Sequence, residues 1–326
     1  MSASGSRELR NLAVFGVGGV GGFVAARLGT LLTGTGVPGP RLYLIARGAH
    51  LEAMRQKGLR LKTPKEGELL CRPTLATDNP RELPPLDLCF LCVKGYDLAE
   101  AAVGLAPRVG EATVLIPLLN GVDIYDRLAA ALPAGTVLPA CIYIGSHLES
   151  PGIVHHTGGQ GLIQLGRDPR FPAFDPQALL SLLGRAGIPY EWLKDPFPAV
   201  WSKYLFIASF GLVSAASGRS LGQILADPRL KAEVGAVMEE ILALAAARGA
   251  VLAPDGAAKA LEKAASFPPE TRTSYQRDVE AKRPKNEGDL FGGAILRLGR
   301  ELGVPVPVST ALFEKVQSSL QVRPGE

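Results

Sequence analysis

The chain has little cysteine and no block of one charge. Cys71, Cys89, Cys92 and Cys141 are the four cysteines among 326 residues, too few and too scattered for the disulfide framework of a small secreted domain. Lysine and arginine total 35 against 31 acidic residues, a net charge of +4. The basic residues are dispersed, without the stripe that a nucleic-acid surface needs. No apolar stretch approaches the roughly 20 uncharged residues of a membrane helix. Residues 1–8 lack the apolar core of a signal peptide and read as a short frayed tail. Repeats and low-complexity segments are absent. With 47% hydrophobic residues, the composition describes a globular, cytoplasmic protein long enough for two domains. Nucleic acid and membrane are not expected partners; a small anionic cofactor or substrate is compatible with the charge.

Glycine, by contrast, is abundant, and one cluster of it is informative. Residues 12–22 read LAVFGVGGVGG, a short apolar run ending in Gly16-x-Gly18-x-x-Gly21. Helical periodicity then follows at Phe23, Ala26, Arg27, Leu28 and Leu31. In a strand–turn–helix that binds a dinucleotide, the first glycine permits the turn and the second lets the backbone approach the phosphates. The third lets the helix pack on its strand. The helix N-terminus then presents its dipole and free N–H groups to the anion. Gly16, Val17, Gly18, Gly19, Val20 and Gly21 are therefore candidate cofactor-binding residues; a glycine-rich structural turn is the alternative.

The first part of the chain alternates strand and helix. Strand candidates are 12–15, 42–45, 88–93, 113–116 and 137–144, with helices over 19–32, 98–107 and 123–131. Segments 58–62 and 68–71 alternate like a small antiparallel excursion, and 152–155 and 161–165 like edge strands. A helix over 176–186 and a strand over 189–193 follow. From Pro196 onward only helical patterns remain, the clearest being 227–248, with Asp227 as N-cap, Pro228 at the first position and Gly249 as the stop. This order predicts an α/β protein: a doubly wound parallel sheet over residues 1–194 and an all-helical domain over 195–326.

The second strand ends at Arg47, where an Asp or Glu would accept hydrogen bonds from the ribose 2′-hydroxyl of NAD. A guanidinium there suits the 2′-phosphate of NADP, so NADP (NADPH) is the expected cofactor; a solvated surface arginine is the alternative. Two more candidates sit where loops leave strand ends: Lys94, facing phosphate or substrate, and Asn120, a nicotinamide or substrate contact or else an αL turn residue before Gly121. Cys89 and Cys92 have CxxC spacing but lie in the apolar run 86–93, three positions apart and so on opposite faces of a strand. They read as buried hydrophobes. No metal site is expected there, nor at His155-His156, which also point to opposite faces and are expected at the surface or on an edge strand.

Together these pieces resemble the ketopantoate reductase (2-dehydropantoate 2-reductase) family. The motifs run in order across nearly the whole chain: the Gly16–Gly21 loop, Arg47, Val93-Lys94, Leu119-Asn120-Gly121 and Val200-Trp201-Ser202-Lys203. Thr273-Ser274-Tyr275-Gln276-Arg277-Asp278 and Asn286-Glu287-Gly288-Asp289 complete them. The resemblance implies a Rossmann-type domain and a helical domain with the active site between them. It also implies NADPH-dependent reduction of a branched 2-keto acid to its 2-hydroxy acid, within pantothenate and coenzyme A biosynthesis.

In that resemblance Lys203 is the catalytic lysine. Hydride addition to a ketone leaves an alkoxide, and a protonated lysine both polarises the carbonyl and delivers the proton, contributing roughly 10²–10⁴-fold. Ser274 and Asn120 correspond to substrate-binding residues, with Asn120 also on the cofactor. Glu287 corresponds to an acidic residue that orients the lysine or binds a substrate hydroxyl; counting from Asp278 without a gap puts Asn286 there instead. Family members acting on ketopantoate commonly carry asparagines four and eight residues after the lysine, where this chain has Ile207 and Gly211. That departure leaves open a related reductase of a different keto acid, or a catalytically silent NADP-binding module. The long apolar helices of the second domain are compatible with a homodimer.

Overall fold

Residues 8–32 and 39–321 are described by the structure, a computed structural model; of the tail read at residues 1–8, all but Glu8 lies outside them. Contacts gather the described residues up to Leu119 with Ile124–Pro196 in one unit, and Asn120–Asp123 with the residues from Phe197 onward in a second. The four residues 120–123 thus belong with the helices, an excursion that a single boundary at 194/195 does not anticipate.

In the first unit the order begins β1 (Asn11–Phe15), α1 (Gly19–Gly29), β2 (Arg41–Ile45), α2 (Gly48–Lys57), β3 (Leu59–Thr63), β4 (Gly67–Cys71), β5 (Leu75–Thr77) and β6 (Leu88–Leu91). It continues with α3 (Leu98–Leu105), β7 (Val114–Pro117), α4 (Ile124–Ala131), β8 (Thr136–Val137), β9 (Ala140–Ser150), β10 (Ile153–Gly166), α5 (Gln177–Arg185) and β11 (Tyr190–Leu193). Continuous apolar runs such as Leu88–Leu91 suit a parallel sheet covered on both faces, and the central strands are buried almost throughout. Six strands form this sheet in the order β5-β2-β1-β6-β7-β8, every pair parallel. The order reverses at β1, with β2 on one side and β6 on the other, so the ligand crevice of a doubly wound sheet opens at the carboxyl ends of β1 and β6.

A second, mixed sheet runs β11-β10-β3-β4, with β9 also on β10. The antiparallel excursion predicted at 58–71 is the β3–β4 pair. The two edge strands predicted at 152–165 are instead one 14-residue strand, β10, which pairs with β3, β9 and β11 along different stretches. The single strand predicted over 137–144 is split around Pro139, which lacks an N–H, and its halves β8 and β9 join different sheets. Two elements carried no readable signal: β5 is three residues long, and α2 buries only His50, Leu51 and Met54. α1 departs from its predicted one-sided periodicity, because it contacts strands of both sheets and buries eight of its eleven residues. Its glycines allow this: a Cβ on Gly22 would strike the Val154 side chain, and one on Gly29 would lie 2.5 Å from Cys71 Cβ.

Cys89 is wholly buried, and burial pushes its thiol up to about 12; burial raises Cys92 as well. Both are packing residues with inert thiols. The surface placement expected for the histidine pair holds only in part. His155 is half-buried beside Glu149, whereas His156 is buried, edge-on to the Phe23 ring, with Nε2 at the carbonyls of Gly158 and Gly159.

The second unit contains α6 (Phe197–Ser217), α7 (Leu221–Ala226), α8 (Pro228–Ala247), α9 (Gly256–Ala265), α10 (Ser274–Glu280), α11 (Ala294–Leu302) and α12 (Pro307–Gln321). Asp227 caps α8 by accepting from the N–H groups of Arg229 and Leu230, with Pro228 next. After Gly249 the chain closes with Ala250 N–H on the Ala245 carbonyl at 2.9 Å, as the sequence predicts. The absence of a membrane-length apolar stretch does not hold. α6 is 21 residues long with mean hydropathy 1.4 in its most apolar window, enough to cross a membrane by length and composition. Ten of its residues are buried inside this unit, where α8, α10 and α12 pack on it, so its apolarity is that of a core helix.

Candidate functional site

The glycine loop begins where β1 stops. Gly16 has φ +92°, which only glycine adopts readily, and a Cβ on it would lie 2.6 Å from Val93 N. The loop and the end of β6 therefore leave the sheet side by side. A Cβ on Gly21 would strike the Gly16 carbonyl oxygen, and one on Gly19 the Ser146 carbonyl oxygen. Gly18 is different, for a Cβ there would meet nothing within 4 Å. The loop is thus closed on the protein side and open at Gly18, while the first N–H groups of α1 have no intrahelical partner. That is a cradle fitted to a pyrophosphate. Val17 is buried and Val20 partly buried against the core of the unit.

Arg47 precedes α2 in extended conformation and is half exposed, its Nη2 donating to Glu100 Oε1 at 3.1 Å. Lys94 leads into the 3₁₀ turn Gly95–Asp97 at the carboxyl end of β6. Sequence reading picked out Arg47 but not its carboxylate partner, which lies 53 residues away.

In the second unit, Asn120 and Lys203 are brought together. Lys203 Nζ donates to Asn120 Oδ1 at 2.9 Å, in a part-buried setting. The turn alternative places Asn120 itself in αL, but the positive φ belongs to Gly121, at 135°. Trp201 and Tyr204, flanking the lysine on α6, are buried and meet edge to face. The Tyr204 hydroxyl donates to the carbonyls of Leu290 and Phe291, which fastens the helix carrying Lys203 to the π-helical turn Asp289–Gly293. Asp123, three residues after Asn120 and buried, accepts from Arg297 Nη2 at 2.8 Å, and Arg297 also bonds Asp289. Burial alone would lower the Arg297 pKa, but its bonds to Asp289 and Asp123 outweigh that and raise it. No sequence signal marks this arginine: Asp289 lies eight residues before it, but Asp123 reaches it only through the fold.

Glu287 is buried, 4% exposed, whereas Asn286 is spent locally. Its amide donates to the Arg283 carbonyl and its Oδ1 accepts from Gly288 N. Ser274 opens α10, but Thr273 is the residue that caps it, leaving the Ser274 hydroxyl unspent on capping. Beyond it, the Tyr275 ring stacks on Phe291 and its buried hydroxyl has no hydrogen-bond partner among the described residues; burial raises its pKa to about 12. Ile207 is partly buried against the core of this unit. A Cβ on Gly211 would meet Phe291 Cδ1 at 3.5 Å, an ordinary van der Waals contact, so alanine fits there. Among the described residues no cluster of three or more His, Cys, Asp or Glu is arranged for a metal ion.

Comparison with known proteins covers both units. Residues 12–170 match the family described as ketopantoate reductase PanE/ApbA, and residues 197–319 its C-terminal part. A 2-dehydropantoate 2-reductase of Mesorhizobium japonicum is 29% identical over 330 residues, covering 94% of this chain and 96% of that protein. The crystal structure of a PanE/ApbA family ketopantoate reductase from Ralstonia eutropha JMP134 superposes with TM-score 0.84 at 28% identity, covering 95% of this chain and 98% of the other. D-mandelate dehydrogenase, solved with NADH and anilino(oxo)acetate, shares the fold with TM-score 0.81 at 20% identity, covering 95% and 98%.

Proposed function

The chain belongs to the ketopantoate reductase family, and we propose that it reduces a branched 2-keto acid to the 2-hydroxy acid with NADPH, 2-dehydropantoate being the first substrate to test. The observation that carries this reading is the 2.9 Å bond from Lys203 to Asn120: an ammonium aimed by an amide, on a helix that is otherwise uncharged. The Gly16–Gly21 cradle, Arg47 and Lys94 are the residues to hold the dinucleotide, and the open space at Gly18 fits its pyrophosphate. The reduced nicotinamide supplies a hydride to the carbonyl carbon when bound. Lys203 hydrogen-bonds the carbonyl oxygen, stabilises the negative charge that grows there, and gives that oxygen its proton. Asn120 holds the ammonium in place, and Ser274 and Glu287 are the polar groups for the substrate's remaining oxygens.

Ile207 and Gly211 stand where members acting on ketopantoate commonly carry asparagines and can return no hydrogen bond, so a branched keto acid without the hydroxyl is the second substrate to test. The test is turnover, followed by loss of NADPH absorbance, across 2-keto acids with and without a hydroxyl on the branch. Turnover of at least one keto acid is expected. Tight NADPH binding with no turnover of any would leave a binding module instead of a reductase.

A further inference from the structure

Arg47 does not stand alone at the end of β2. Its Nη2 donates to Glu100 Oε1 at 3.1 Å, and its Nη1 lies 3.8 Å from Asp97 Oδ2. Both carboxylates belong to the segment that leaves β6: Asp97 closes the 3₁₀ turn and Glu100 sits in the first turn of α3. Arg47 is 54% exposed and Glu100 70% exposed, so their pairing adds little to stability and folding does not account for it. Gly48, the next residue in the chain, carries no side chain, and a Cβ there would meet nothing within 4 Å outside its chain neighbours. The Arg47 side chain is open to solvent, and so to an anion arriving from it, but one arm of its fork is already held by a carboxylate.

We propose that Glu100, with Asp97 behind it, is a cofactor-specificity residue: it competes with the 2′-phosphate of NADPH for Arg47, and accepts from the ribose 2′-hydroxyl when that phosphate is absent. This rests on Arg47 being the 2′-phosphate contact. A phosphate monoester brings about 1.5 to 2 negative charges, and two carboxylates beside its intended cation oppose its entry. A hydroxyl brings no charge and needs an acceptor, the part an acidic residue plays at the end of the second strand in NAD-selective folds. Here the acceptor arrives from α3, far along the chain. The pocket therefore serves both dinucleotides, with its preference for NADPH held below what Arg47 alone would give.

The test is the dissociation constant of NADPH and of NADH, read from nucleotide fluorescence without keto acid, for the wild type, Glu100→Gln, Arg47→Ala and the double variant. Glu100→Gln is expected to tighten NADPH about 3- to 10-fold, to weaken NADH, and to lose its effect on NADPH when Arg47 is absent; unchanged NADH binding overturns the 2′-hydroxyl contact. Arg47→Ala alone is expected to weaken NADPH about 10- to 100-fold and to spare NADH. Unchanged or weaker NADPH binding in Glu100→Gln overturns the proposal while leaving Arg47 in its role. So does an equal gain with and without Arg47, which would be general charge relief. Equal weakening of both dinucleotides by Arg47→Ala overturns the Arg47 contact itself, and the proposal with it.

Discussion

In the first unit the candidate cofactor loop is built of backbone: a tight turn at Gly16, an open edge at Gly18 and the start of α1. In the second unit the candidate chemistry is built of side chains, the Lys203 ammonium on the Asn120 amide and the Asp123 carboxylate on Arg297. A backbone site depends on the absence of side chains, which would strike the protein at Gly16, Gly19 and Gly21 and fill the open edge at Gly18. A side-chain site depends on particular atoms, and its surroundings change without harm to the fold. Substitutions should therefore fail in different ways in the two regions.

The largest effect is expected at Lys203. Lys203→Ala should lower kcat about 10²- to 10⁴-fold, while the NADPH dissociation constant and the melting temperature stay near wild type. The bond to Asn120 is part-buried and adds about 1.5 kcal/mol to folding, too little to unfold the protein, so a large fall in kcat without unfolding separates chemistry from structure. Unchanged turnover would remove Lys203 from the mechanism. Gly21→Ala makes the opposite test. Its Cβ would strike the Gly16 carbonyl oxygen and lie 3.0 Å from Cys92 Cβ, and overpacking of this kind costs about 2–3 kcal/mol. The melting temperature should fall accordingly, nucleotide binding should weaken about 10-fold or more as the loop shifts to make room, and a calorimetric titration giving a wild-type Kd would dispose of the cradle.

What could be read from the sequence follows the range of the interactions involved. The parallel sheet was legible because buried strands are short apolar runs, and the glycine cradle because its parts are consecutive. The ends of α8 were legible because Asp227, Pro228 and Gly249 act on their own neighbours. The second sheet was not, since the long partnerships of β10 with β3, β9 and β11 depend on which strands the fold brings alongside. α2 escaped because Leu51 and Met54 make too sparse a stripe. At the site, Lys203 and Asn120 were nameable from their motifs, but the Arg297–Asp123 and Arg47–Glu100 pairs were not, because their members lie 174 and 53 residues apart.

Two aspartates sharpen that contrast into energies. Asp168 has no sequence signature, yet it is wholly buried. It accepts from Tyr125 Oη at 2.5 Å, from Val137 N at 3.0 Å and from Arg170 Nη2 at 2.7 Å. Burial alone would raise its pKa, but the bonds from Arg170, Tyr125 and the backbone outweigh this and hold it below the usual carboxylate value. Its stabilisation is therefore complete above pH of about 3.9, the unfolded value, and is lost as the pH falls through the lower native one. Asp168→Asn should cost about 2–3 kcal/mol at neutral pH and flatten the acid limb of the stability curve, measured by denaturant unfolding at several pH values.

Asp227, by contrast, is the polar residue the sequence announces most clearly, and its expected effect is the smaller one. As N-cap of α8 it accepts from Arg229 N at 2.9 Å and Leu230 N at 3.3 Å. Removing such a cap costs about 1 kcal/mol, because water takes its place at an exposed helix end. Asp227→Ala should therefore lower stability less than Asp168→Asn, while Asp227→Ser should restore most of the loss. Were Asp227→Ala the costlier of the two, the local bonds at the helix end would outweigh the buried, long-range ones. The greater energy is expected where the sequence is silent, because a buried carboxylate has no water to replace its partners, whereas a cap is legible for the same reason that it is weak: everything it touches is next to it in the chain.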